Sequence, residues 1–239
     1  MRYLRKIIGV LCLLGGIGCL AIALRELLDY GKADRAYAIL EDTFTEETET
    51  GFTVDLDALL AQNEDIIGWL RMDPDISYPI VRGIDNHYYL RRGIDKEYNR
   101  NGTLFLDCNN SGFSDDHAIV YGHHMKSGAM FGQLDQYQDA SYAAEHPIVT
   151  LYTPEGIFTY RIFCAVITTD GSWAYRAIRD SDPDMEDYLE QCRKEALYWD
   201  AEAEVSENDQ ILTLSTCIGR SGGTKRLVVQ TVLEGADME

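Results

Sequence analysis

Positive charge is scarce in this chain. Its 239 residues carry 21 Lys and Arg against 40 Asp and Glu, a formal net charge of −19 at pH 7. Nucleic-acid phosphates are held by clustered Lys and Arg, so this composition argues against nucleic acid as a partner. The acidity serves solubility and names no substrate by itself. Metal-ligand spacings are missing too, since no Cys-x-x-Cys and no His-x-x-x-His occurs. A zinc site built from His123, His124 and a cysteine is therefore poorly supported, the more so because adjacent residues on a strand point to opposite faces. No internal repeat or low-complexity tract is visible. Long apolar runs are confined to one place, the amino terminus, and Val228 to Glu239 is too short for a second span.

Ile7 to Leu24 is nearly unbroken apolar sequence without a charge, about the minimum that crosses a bilayer as a helix. Arg2, Arg5 and Lys6 precede it, and such a cationic flank stays on the cytoplasmic side. A cleaved signal peptide would have a shorter apolar centre and a small-residue cleavage site. Leu24-Arg25-Glu26 is a poor one. The expectation is an uncleaved single-pass anchor over 1–25, with the remainder outside the cell. Residues 26–53 read as a helix followed by the acidic, Thr-rich stretch Glu41 to Thr50, a linker or a frayed helix end, and 54–239 as one catalytic domain. Of the six cysteines, Cys12 and Cys19 lie in the anchor. If one of Cys108, Cys164, Cys192 and Cys217 is a working thiol, the other three cannot all pair within the chain. Cys164, inside Ile162-Phe163-Cys164-Ala165-Val166-Ile167, reads as a small buried hydrophobe.

Beyond a short amphipathic helix near Leu56, Leu59 and Leu60, β-prone runs follow one another. They cover Ile66 to Leu70, Ile76 to Val81, Thr103 to Asp107, Ala118 to Tyr121, Ile148 to Tyr152, Ile157 to Thr168, Gln210 to Thr216 and Arg226 to Val232. About eight strands at this spacing predict a mainly β barrel or sandwich. One helix is expected between them, from Asp182 to Tyr198, with Asp182 as N-cap, Pro183 at the first helical position and acids in the first turn.

Three residues carry chemistry. The strand Ile211-Leu212-Thr213-Leu214-Ser215-Thr216 stops on Cys217, and Arg226 follows nine residues later on the next strand, across a loop holding Gly219, Gly222 and Gly223. Cys217 and Arg226 are thus expected side by side at one end of a sheet. Ala118-Ile119-Val120-Tyr121-Gly122 ends on His123. A thiol attacks a carbonyl as thiolate, a histidine can stabilise that thiolate and protonate a leaving amine, and a guanidinium can hold an oxyanion or a substrate carbonyl. Singly, each residue has a plainer explanation as core, turn or surface charge. The conjunction points to thiol acyl transfer.

Thr213-Leu214-Ser215-Thr216-Cys217 with Arg226 and two valines resembles the signature of sortases, cysteine transpeptidases that attach proteins to Gram-positive cell walls. Tyr121-Gly122-His123-His124-Met125 with Met130-Phe131-Gly132 is similar to their histidine segment in its class B form. So are Gly68-Trp69-Leu70, Tyr78-Pro79-Ile80-Val81 and Asp85-Asn86-His87-Tyr88-Tyr89-Leu90. The likeness runs from about Val54 to Val232.

It implies an eight-stranded β-barrel with inserted helices, preceded by the N-terminal helix and membrane anchor. It also implies His123, Cys217 and Arg226 as catalytic residues, Ser215, Asn86 and Leu90 as contacts of the sorting peptide, and no metal or organic cofactor. The implied partners are surface proteins bearing a sorting signal, cleaved after threonine, and a peptidoglycan amine as acceptor. A pilin-polymerising enzyme with a lysine acceptor is the alternative within the family. A papain-like protease fits less well, because there the cysteine precedes the histidine. A binding-only wall protein is the remaining alternative.

Overall fold

The computed structural model describes residues 2–49, 51–175, 185–206, 209–219 and 223–238. The chain enters through one continuous helix, α1 (Arg2–Phe44), whose first half exposes large apolar side chains such as Leu11, Leu14, Leu20 and Ile22. Among the described residues it is the one helix long and apolar enough to cross a membrane. Its second half is amphipathic and packs on the domain, burying Ala33 and Tyr37 at i and i+4.

The segment after α1 departs from the sequence-based expectation of a linker. Thr45–Thr48 (β1) pairs antiparallel with Gly51–Val54 (β2). One of its acids has a partner on the domain: Glu47 lies 3.0 Å from the Arg71 guanidinium, which itself stacks 4.0 Å over the Phe52 ring. An acidic, Thr-rich stretch thus pairs as a hairpin whose Glu47 and Phe52 both meet Arg71 of the barrel. Residues 26–44 thus belong to α1, and the hairpin follows directly.

After α2 (Leu56–Gln62), N-capped by Asp55 accepting from the Ala58 amide at 3.0 Å, come β3 (Ile66–Met72), β4 (Ile76–Val81), β5 (Leu104–Leu106) and β6 (His117–Tyr121). Then follow α3 (Ala140–Glu145), β7 (Ile148–Thr153), β8 (Gly156–Thr169), α4 (Met185–Glu195), β9 (Ala196–Trp199), β10 (Ile211–Cys217) and β11 (Lys225–Met238). Around the wall the order is β11-β10-β6-β5-β4-β3-β7-β8, and β8 pairs back onto β11 to close an eight-stranded barrel, with β9 hung on β8. All eight expected strands are present, and closure leaves this ring without free edges.

Two faces of the wall are buried, which explains why the strands read as nearly continuous apolar runs. Leu212, Leu214, Leu227 and Val229 point inward to the main core with Leu70, Ile80, Leu104 and Val120. Their neighbours Ile211, Val228 and Val232 face outward under α4, against Met185, Tyr188, Leu189 and Cys192. Cys164 is buried as expected, and its Sγ lies 3.8 Å from the Cys192 carbonyl oxygen.

The helix expected to reach Tyr198 stops at Glu195. Ala196 to Trp199 instead continues the sheet, Tyr198 opposite Ala165 and Trp199 opposite Cys164, and the Trp199 ring meets Phe163 edge-on at 5.7 Å. Sheet pairing overrides the helical pattern there. The proposed cap at Asp182 and Pro183 lies outside the described residues.

Gly68, in the Gly-Trp-Leu segment of β3, marks a close approach of two strands. A Cβ there would stand 2.7 Å from the Tyr152 carbonyl oxygen of β7. Backbone cannot yield as a side chain does, so Gly68→Ala should cost about 1–3 kcal/mol as an overpacking substitution. Thermal or denaturant unfolding measures this, and an unchanged midpoint would contradict the close packing.

Candidate active site

Strand pairing brings the three reactive side chains together. Cys217 ends β10 after six buried residues and is itself exposed. Arg226 is its direct antiparallel partner on β11. On the other side β10 runs parallel to β6 with Ser215 opposite Tyr121. The pairing continues one residue further, the Gly122 amide donating to Ser215 O at 3.1 Å and the Thr216 hydroxyl donating to Gly122 O at 2.8 Å. This zip delivers His123 to the same rim. Gly122 has no room for a side chain, since a Cβ would stand 2.6 Å from Phe131 Cδ2.

Cys217, His123 and Arg226 all line one cleft of about 460 Å³, together with Asn86, Leu90 and Ser215. Every residue expected at the site therefore borders the same space. His124 does not; its Nε2 lies 2.7 Å from Asp135 Oδ2, so the two adjacent rings serve different partners. Among the described residues no group of three or more His, Cys, Asp and Glu could hold a metal ion.

The histidine is held by its environment. His123 Nε2 lies 2.7 Å from the Leu90 carbonyl oxygen. A carbonyl only accepts, so Nε2 carries the hydrogen and Nδ1 is left to take or give the second proton. Burial pushes the imidazolium form to lower pH, the Leu90 carbonyl partly offsets this, and the Arg91 charge adds to the lowering.

Arg226 is tethered at three points. Its guanidinium donates to Gly223 O at 2.8 Å, Lys225 O at 3.0 Å and Asp170 Oδ2 at 3.1 Å. The ion pair with Asp170 is partly solvated, worth about 1 kcal/mol or less, so a substrate oxygen can compete for the same fork.

Two of the three residues expected to contact the peptide, Asn86 and Ser215, are the ends of a polar wall that sequence reasoning missed. Ser215 is buried with its hydroxyl 2.7 Å from that of Tyr175. The Tyr175 hydroxyl, pushed up to about 12 by burial, stays protonated. Its ring stacks on Tyr121 at 6.2 Å, and the Tyr121 hydroxyl donates to Asp107 Oδ2 at 2.9 Å. Asp107 also accepts from Asn86 Nδ2 at 3.0 Å, while Asn86 Oδ1 accepts from the Cys108 amide at 2.8 Å. The Asn86 amide is thereby oriented, with one N–H and one lone pair left over. Asp170 and Tyr175 have only a weak sequence signal, the turn at Asp170-Gly171 that follows the long β8. Asp107 could have been suspected as a lone acid closing an apolar strand.

A thiol, an imidazole and a guanidinium around one cleft can run acyl transfer. Comparison with known proteins points the same way. A Sortase domain model matches residues 75–234, more than half of the chain. Sortase B of Listeria monocytogenes is 35% identical over 171 residues, 70% of this chain and 69% of that one. Sortase B of Staphylococcus aureus is 29% identical over 208 residues, 86% and 83% of the two chains. The crystal structure of B. anthracis sortase B superposes with a TM-score of 0.75 at 31% identity, over 87% of this chain and 98% of that one. A Staphylococcus aureus sortase B–substrate complex gives 0.74 at 25% identity, over the same shares. With its closed barrel, its thiol rim and these relatives, the chain belongs to the sortase family of cysteine transpeptidases, in class B.

Proposed function

We propose that this transpeptidase is anchored in the cytoplasmic membrane by α1, faces the outside of the cell, and joins surface proteins to a peptidoglycan amine. The observation that carries the reading is the shared cleft of Cys217, His123 and Arg226. The Cys217 thiolate attacks the carbonyl of a threonine in a carboxyl-terminal sorting signal. A C–S bond forms, the Thr–X amide breaks, and the His123 imidazolium gives its proton to the leaving amine. Arg226 donates to the oxyanion, or to a peptide carbonyl, as Asp170 releases its share of the fork. The acceptor amine then attacks the thioester, loses its proton to His123, and Cys217 departs as thiolate.

Asn86, through its spare N–H, and Leu90 contact the peptide in this reading. Ser215 acts through Tyr175, to which its hydroxyl is bonded. A Staphylococcus aureus sortase B has been crystallised in complex with a substrate, which supports substrate binding by this fold. Arg2, Arg5 and Lys6 before the apolar half of α1 favour a cytoplasmic amino terminus. Transfer to a pilin lysine would use the same chemistry with a different acceptor.

Incubating the chain with a small set of sorting peptides, with and without an amine, and locating the cut by mass spectrometry tests the reaction. Cleavage after threonine and an amine-dependent ligation product are expected; cleavage elsewhere would contradict the reading. Cys217→Ala should abolish turnover. Arg226→Lys keeps the charge and loses the fork, so kcat/KM should drop about 10²-fold with the fold intact. Near-normal turnover in that variant would remove Arg226 from the mechanism. His123 should titrate below the ordinary imidazole value of about 6.5, because its environment disfavours the charged ring. An NMR midpoint at or above that value would contradict the burial argument.

A further inference from the structure

The helix that leads in from the amino terminus is wired to the histidine. The Tyr37 hydroxyl donates to Gly102 O and sits 2.8 Å from Thr103 Oγ1. The Thr103 hydroxyl has one hydrogen for two acceptors, the Tyr37 hydroxyl oxygen and Arg92 O, each at 2.8 Å, and the Thr103 amide donates to Tyr89 O at 3.1 Å. These bonds clamp the 99–103 turn onto the short 3-10 turn Tyr88–Arg91. The fit leaves no slack, since Gly102 has φ +62 and a Cβ there would stand 2.6 Å from the carbonyl oxygens of both Tyr89 and Leu90. Leu90 O is the atom that faces His123 Nε2 at 2.7 Å. Asp34 and Glu26 of α1 hold the same turn through Asn101, at 2.7 Å, and Arg100.

We propose that Tyr37 is a positioning residue for the transpeptidation: through Gly102 and Thr103 it fixes the Leu90 carbonyl that sets the orientation and tautomer of His123. The amino-terminal helix is then part of the catalytic scaffold and not only a tether. This rests on the reading of His123 as the acid and base of the reaction. A ring nitrogen is useful only if its hydrogen is on the right atom and its lone pair in the right direction. Both are decided by one backbone oxygen, so a small displacement of Leu90 costs rate without emptying the site.

Tyr37→Phe in the full chain, held in detergent micelles, tests this. The ring keeps its edge contact with Tyr78, at 5.6 Å between centroids, so the variant should fold. With both hydroxyl links gone, kcat should fall about tenfold while KM moves less than about twofold. The His123 midpoint should also move further down, because the imidazolium loses part of its acceptor while its burial and the Arg91 charge persist. Cys217 and Arg226, which share the cleft, are untouched.

Ser77→Ala is the control. It removes the 3.0 Å acceptor of Trp69 Nε1 on strands that do not line the cleft, and should lower the melting temperature while keeping the parent kcat and His123 midpoint. If Tyr37→Phe behaves like this control, or changes nothing, Tyr37 only packs the helix and the proposal is overturned. Turnover surviving in His123→Ala would instead remove the catalytic reading of the histidine, whatever Tyr37 does.

Discussion

The site depends on the register of β10 between its two neighbours. Parallel pairing with β6 sets Ser215 opposite Tyr121, and antiparallel pairing with β11 sets Cys217 opposite Arg226. Neither contact involves the reactive atoms, yet together they bring three chain-distant side chains to one rim. A slip of one residue on either side would turn Cys217 or Arg226 to the opposite face of the wall. The register is secured by burial on both faces, inward through Leu212 and Leu214 and outward through Ile211, so the core that stabilises the barrel also fixes the site.

Around that rim the chain supplies two kinds of support. Arg226 is held by backbone carbonyls and a half-solvated carboxylate, an arrangement loose enough to yield to a substrate oxygen. His123 is held tightly, by burial and by one carbonyl whose own position is braced from behind. The contrast suits the two proposed tasks, a guanidinium that changes partners during turnover and an imidazole that keeps its orientation while its proton comes and goes. Opposite them, the run from Asn86 through Asp107, Tyr121 and Tyr175 to Ser215 is held together by contacts within the protein, with one N–H of Asn86 left over.

The barrel strands were legible because each buries apolar residues in a run bounded by turn residues. Cys217 and His123 were legible because each follows such a run. The acidic stretch around Glu46 and Glu47 reads as solvated sequence, and its contact with Arg71 of β3 is not visible in it. Ala196 to Tyr198 continue a helical pattern that β8 captures as a strand. Tyr37 looks like any helix residue until Gly102 is seen beneath it. In each case the missing information is a tertiary partner distant in sequence, which propensity and periodicity do not encode.

The most direct measurement is a crystal structure of the enzyme with a sorting-peptide mimic disulfide-linked to Cys217 in place of the scissile bond. The Arg226 guanidinium is expected within roughly 3 Å of a carbonyl oxygen of the mimic, and the His123 ring beside the sulfur with Nε2 still on Leu90 O. A mimic that leaves Arg226 wholly on Asp170, or lies on a side of Cys217 that His123 does not face, would contradict this arrangement.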